Sequence, residues 1–232
     1  METTGGGRSH IEADAHRALA AEGLACAEVT DALGRAHRHR AHVTGLVSPV
    51  PTRRLFGRVV TISFFPTCAE RLGPEEFNFG RLFHQAVQGA ASDPEHTVLV
   101  MASNGYPDVS LAGGTKLSRL TNAGLAGVLT DGRLRDFDEL AEEPYAAWCS
   151  GEAVAWGGGA VTPFQANVPV VIGGVGVHPG QYVFCDSSGA VFIPEADIDE
   201  VLETAHQIRR DDAFHRTAIA RESADDAHGT ER

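Results

Sequence analysis

Positive charge, lysine, cysteine and long apolar runs are all scarce in this sequence, and each shortage removes a class of function. Lysine and arginine together number 19 against 31 aspartates and glutamates, a formal net charge of −12. Phosphate backbones demand a basic face, so nucleic acid is not expected as a direct partner. The acidic excess is spread along the chain and reads as a solubility feature. Cys26, Cys68, Cys149 and Cys185 stand far apart with no C-x-x-C pair, which removes the usual zinc and redox-dithiol readings. Such scattered cysteines fit a reducing cytosol better than a disulfide framework. The longest apolar run, Val168 to Val177, is interrupted by glycines and is too short to span a bilayer. Met1 to His10 lacks the apolar core of a secretory signal, so the expectation is a cytoplasmic protein with no membrane partner. No G-x-S-x-G elbow, Walker loop or H-E-x-x-H is present.

What is there suits one domain. A chain of 232 residues, 43% hydrophobic and 22% charged, buries enough surface to need no disulfide or metal staple. Residues 1–10 and 219–232 are expected to be flexible tails around a single domain at 11–218, because the first is Gly-rich and the second poor in apolar residues. Two helical pieces broken near Gly23 fill about 11–35. Gly57–Phe64 and Thr97–Ala102 read as strands, Glu76–Ala91 and Lys116–Ala123 as helices, and Gly127–Thr130 as a short strand. Val168–Val177, Tyr182–Asp186 and Ala190–Pro194 read as further strands, followed by an amphipathic helix from Ile198. This mixture predicts an α/β (α+β) fold, a central β-sheet core flanked by helices. It lacks the regular alternation of a simple doubly wound sheet.

The chemistry concentrates in Gly113–Glu139. A Gly-rich loop, Gly113-Gly114-Thr115-Lys116, runs into a helix N-terminus whose backbone N–H groups suit a carboxylate. A strand and a tight turn then present Arg135, able to grip the same anion in a bidentate fork, and Asp136, able to hold a hard cation such as magnesium. Together these parts would bind a 2-oxo acid and stabilise an enolate. Local chemistry also fits a plainer reading, a surface ion pair with Asp136 as a helix N-cap.

Gly124, Gly127, Asp131, Gly132, Arg135, Asp136 and Glu139 fall in the order and spacing of the central signature of the RraA-like / 4-hydroxy-4-methyl-2-oxoglutarate aldolase family, and the chain resembles that family. Thr30-Asp31-Ala32-Leu33, Gly57–Thr61, His84–Val87, Asn167–Val170, Gly173–Val175, Val177–Gly180, Asp186 and Gly189–Val191 extend the likeness over about 24–205. The resemblance implies a swivelling β/β/α-type domain assembled as a homotrimer or dimer of trimers. It implies a divalent-metal lyase using Mg2+ (or Mn2+), which cleaves 4-hydroxy-2-oxo diacids to pyruvate and decarboxylates oxaloacetate. Arg135 matches the substrate arginine, Asp136 the magnesium-associated aspartate, and Gly113–Lys116 the loop that seats the substrate carboxylate. Two alternatives stay open: altered chemistry on a specialised carbonyl metabolite, or a non-catalytic assembly that binds a protein, as the family's ribonuclease E inhibitor does.

One departure matters. The family's aldolases carry an acidic residue where this chain has Gly114, and an apolar residue where it has Lys116, its only lysine. Lys116 would replace a missing charge, bind a carboxylate or, if desolvated, form a Schiff base; the alternative is a solvated lysine on a helix face. Tyr106 and Asp108 are candidates for the pocket wall or for turn residues. His37, His39 and His42 are more in keeping with a solvated surface than a metal site, and His84 with a core or interface role.

Overall fold

The computed structural model describes residues 6–36, 40–68, 70–90, 92–106 and 108–229. His37, His39 and Pro107 lie outside them, as do 1–5 and 230–232. Helices α1 (Gly6–Ala21) and α2 (Cys26–Ala36) open the fold. They are separated at Gly23, whose φ of +77° is a left-handed value that suits glycine. A short strand β1 (His42–Val43) precedes the long β2 (Leu55–Pro66). Then come α3 (Phe79–Val87), β3 (Thr97–Ala102), β4 (Ser110–Ala112), α4 (Gly114–Ala123), β5 (Gly127–Thr130), β6 (Arg133–Leu134), α5 (Phe137–Glu142) and β7 (Ala146–Trp148). The rest is β8 (Val161–Ala166), β9 (Val170–Ile172), β10 (Val175–Val177), β11 (Tyr182–Asp186), β12 (Gly189–Ile193) and α6 (Ile198–Gly229).

The main sheet has eight strands in the order β1-β12-β11-β2-β3-β5-β7, with β8 also paired to β2. β2, β3, β5 and β7 are parallel neighbours, joined in turn through α3, α4 and α5. The centre of the chain therefore alternates strand and helix, but with β4 and β6 inserted, so the alternation is not the regular one of a simple doubly wound sheet. The pattern is hard to read because β7 is only three residues and the β4–β6 pair interrupts the loops. The antiparallel half, β11, β12, β1 and β8, is joined on through β2.

Strand alternation decides which layer each side chain joins. On β2, Val60, Ile62 and Phe64 pack with Leu82 and Phe83 of α3 and Leu117 and Leu120 of α4. Leu55 and Val59 point the other way, into a cluster with Val170, Ile172, Val175 and Val177 of the β9–β10 hairpin. Tyr182 and Phe184 of β11 receive Leu24, Val29, Val201 and Leu202 of the terminal helices. The layers are thus hairpin, sheet and helices, the expected β/β/α arrangement, with the helices on one face. Every residue of β3 is buried, as a strand covered on both faces requires.

Two sequence expectations meet a different structure here. Val168–Val177 forms a hairpin in place of one strand, because Gly173 and Gly174 take φ values of +54° and +85° and turn the chain. The tail boundaries at 10 and 218 fall inside α1 and α6. The buried face of α6 ends at Ile208, and Phe214 beyond it is 73% exposed. Few apolar residues there means no packing, yet residues 209–228 hold no proline or glycine and so nothing breaks the helix. No described helix is long and apolar enough to cross a membrane.

Candidate functional site

The parallel pairing of β4 with β6 brings the loop at 112–116 against residues 133–136, and the Arg135 amide donates to Ala112 O at 3.1 Å. At the junction Asp136 takes φ +65° and ψ +46°, a left-handed conformation uncommon outside glycine, although aspartate visits it more than most. Asp136 is the N-cap of α5 by position, but its side chain does not cap that helix. Its Oδ2 instead accepts the Gly114 amide of α4 at 3.1 Å, and its carboxylate takes Nε of Arg135 at 3.2 Å. The plain reading was right about position and incomplete about the bond.

The paired glycines are a packing requirement. A Cβ at Gly113 would lie 2.3 Å from Asp136 Oδ2 and 2.7 Å from Arg135 Cγ; one at Gly114 would lie 2.0 Å from Glu139 Oε2. The carboxylate absent at position 114 is thus matched by one from α5 in the same space. Because Asp136 takes the Gly114 amide, the expected cradle of loop amides contracts. In the first turn, Lys116 N–H donates to Gly113 O at 3.0 Å, and Thr115 N–H has no protein acceptor among the described residues.

These groups border a cavity of about 210 Å3 whose wall includes Gly113, Thr115, Lys116, Arg135 and Asp136. Its other walls are Ser110, Ala112 and Trp156, which the sequence reading missed. The signal available for Trp156 was its place before Gly157-Gly158-Gly159: a Cβ at Gly158 would lie 2.1 Å from the indole. Lys116 Nζ donates to Leu111 O at 3.0 Å and stands 5.6 Å from the centre of the Phe79 ring. Burial, with Arg135 and Arg119 nearby, holds this ammonium below the ordinary lysine range. Asp108 is exposed, and neither it nor Tyr106 lines the cavity.

Other singled-out residues serve the scaffold. His84 is exposed on α3, which removes a core role. Thr30 donates back to Cys26 O at 2.7 Å, and Asp186 caps α2 by accepting the Cys26 amide at 2.8 Å. Asp131 clamps two loops, accepting Ser103 N at 2.8 Å and Gly173 N at 3.2 Å. Among the described residues, one trio has the spacing of metal ligands: Asp93, Glu95 and His96. It precedes β3, away from Asp136.

Residues 26–192 match the RraA-like family, described as Aldolase/RraA. The chain belongs to this family. Among its relatives, protein DlpA of Legionella pneumophila is 27% identical over 215 residues, covering 90% of this chain and 33% of DlpA. A Halalkalibacterium halodurans protein provisionally named 4-hydroxy-4-methyl-2-oxoglutarate aldolase is 29% identical over 123 residues, 53% of this chain and 58% of that protein. The chain thus spans about a third and somewhat over half of these two relatives. In fold it is similar to Streptomyces coelicolor RraAS2, an unusual member of the RNase ES inhibitor RraA protein family. The TM-score is 0.74 at 22% identity, over 86% of this chain and 96% of that one. The RraA-like family includes divalent-metal aldolases and RraA regulators, and both uses are open to this fold.

A divalent ion fits the donor set. Asp136 presents a half-buried carboxylate at the cavity wall; Glu139 packs at Gly114 and does not line that wall. One or two carboxylates with retained waters is the usual seat of Mg2+.

Proposed function

We propose that this chain is a divalent-metal-dependent carbon–carbon lyase acting on a 2-oxo acid. The observation that carries the reading is a single small cavity where Arg135, Lys116 and the Thr115 amide stand with the Asp136 carboxylate, in a protein whose net charge is −12. A local excess of cations in an acidic chain selects a small anion.

Arg135 holds the substrate carboxylate in its guanidinium fork, and Thr115 N–H supplies one further donor. Gly113 brings no side chain to the wall beside the Thr115 amide. Lys116 adds positive charge on the same wall. Asp136 is the residue that would hold Mg2+ or Mn2+. When bound, the ion supplies Lewis acidity at the 2-oxo group, where charge develops as the carbon–carbon bond breaks. The hydrogen bond from Gly114 N to Asp136 fixes that carboxylate before substrate arrives, the preorganisation such sites depend on.

The activity is cytoplasmic and belongs to a homotrimer or dimer of trimers. Trp156, on the cavity wall and 65% accessible, is an apolar side chain that a neighbouring subunit would cover. Membership of a family that also holds RraA regulators supports a second reading, a non-catalytic assembly that binds a ribonuclease. Pyruvate release from 4-hydroxy-4-methyl-2-oxoglutarate or oxaloacetate, dependent on magnesium and lost in Arg135→Ala, upholds the lyase. Stoichiometric binding of a ribonuclease with no turnover overturns it. Sedimentation velocity checks the assembly, a trimer or hexamer being expected and a monomer contradicting it.

A further inference from the structure

Lys116 is the only lysine of the chain, and the metal-based reading uses it only as a charge. A lysine on a helix normally extends its ammonium to water or to a carboxylate. This one does neither. It is half-buried on the cavity wall. Its sole hydrogen-bond acceptor among the described residues is Leu111 O, and no carboxylate pairs with it there. Its nearest charged neighbours are cations. Arg119 stands 6.0 Å from the same Phe79 ring that Lys116 approaches at 5.6 Å, and its Nη1 donates to Lys116 O at 3.4 Å. Arg135 shares the cavity wall. Desolvation beside other cations is the arrangement that makes a lysine amine nucleophilic, since both disfavour its charged form. A neutral amine at Nζ keeps one N–H on Leu111 O and has its lone pair free.

We propose that Lys116 captures the carbonyl carbon of a 2-oxo acid in the Arg135–Asp136 cavity as a Schiff base. The inference rests on the 2-oxo acid reading of that cavity but not on the metal. The Nζ lone pair forms a C–N bond to the 2-oxo carbon, and the carbonyl π pair moves to oxygen, which takes a proton. Nitrogen releases a proton to solvent, the hydroxyl takes another and leaves as water, and the iminium remains. In sum, amine, carbonyl and one proton give iminium and one water, with no oxidant or reductant.

The single lysine makes the test unusually clean. Full-length protein is mixed with pyruvate in excess chelator, reduced with borohydride and weighed intact, then digested and mapped. The expected result is a gain equal to pyruvate less one water plus two hydrogens, on the peptide holding Lys116, with all of it lost in Lys116→Arg. The N-terminal amine is the other candidate, and mapping separates the two. Magnesium-dependent turnover is measured on the same wild-type preparation. Turnover without an adduct overturns the Schiff base and leaves the metal lyase standing. An adduct at Lys116 without metal-dependent turnover upholds the Schiff base and removes the metal. Neither adduct nor turnover overturns both.

Discussion

Two polar centres in this molecule use the same residue types to opposite ends. One joins α1, β2, β11 and the start of α6. Asp14, only 3% exposed, accepts Arg58 at 3.0 Å and Arg17 at 3.2 Å, and also the Tyr182 hydroxyl. Arg17 closes a bidentate pair with Asp199 at 2.8 Å, and Arg58 reaches Glu195 at 2.7 Å. Charge meets countercharge throughout, and four elements are tied together. At the second centre, cations outnumber their partners. Among the described residues, Arg135 has one long contact to its own neighbour, Lys116 has only a carbonyl, and Thr115 N–H has no acceptor. Saturation marks a structural staple, whereas unspent donors around a cavity mark a place for a ligand.

The largest expected effect breaks the staple. Asp14→Ala leaves Arg58 and Tyr182 facing a buried gap, and chemical denaturation should show a stability loss of about 3–5 kcal/mol. Loss within about 0.5 kcal/mol, the range of an ordinary surface change, would erase the contrast. At the cavity the order reverses. Arg135→Ala should lower kcat/KM for the 2-oxo acid by about a hundredfold or more, while its denaturation midpoint stays close to wild type.

The paired glycines sharpen the comparison. Gly113→Ala drives a methyl into Asp136 and Arg135 and should cost about 1–3 kcal/mol in stability, together with most of the activity. Gly114→Ala meets chiefly the carboxylate end of the flexible Glu139 side chain, so its stability should change by less than about 1 kcal/mol. Equal behaviour of the two variants would contradict the packing described.

The smallest effect is in pH. Burial works to raise the Asp14 carboxyl, but hydrogen bonds from Arg58 and Tyr182 outweigh it and hold the group below the usual carboxylate range. A carboxyl depressed on folding contributes stability above its unfolded value, about 3.9, and loses it as pH falls through the folded value. Unfolding measured between neutral pH and about pH 3 should show this loss in wild type. The slope should be shallower in Asp14→Asn, and identical slopes would speak against the linkage.

Much of this was legible in the sequence. β3 and β5 match their predicted spans because both are short buried runs with no competing helical period, and α4 ends at Ala123 as expected, where Gly124 takes φ +71°. β8 went unread because Pro163 interrupts it, as an edge strand tolerates. Arg135 and Asp136 stand together with Gly113–Lys116 because the β4–β6 ladder is local. What periodicity could not supply was the long-range part: Trp156 and Ser110 meet across a bridge, and the Glu139 carboxylate fills the space at Gly114.

The most direct test of the account is pyruvate release from 4-hydroxy-4-methyl-2-oxoglutarate and oxaloacetate, measured with magnesium and with chelator for wild type and Arg135→Ala. The account predicts turnover in wild type with magnesium, lost on chelation and in the variant. Turnover that Arg135→Ala leaves intact, or none from either substrate, would contradict it.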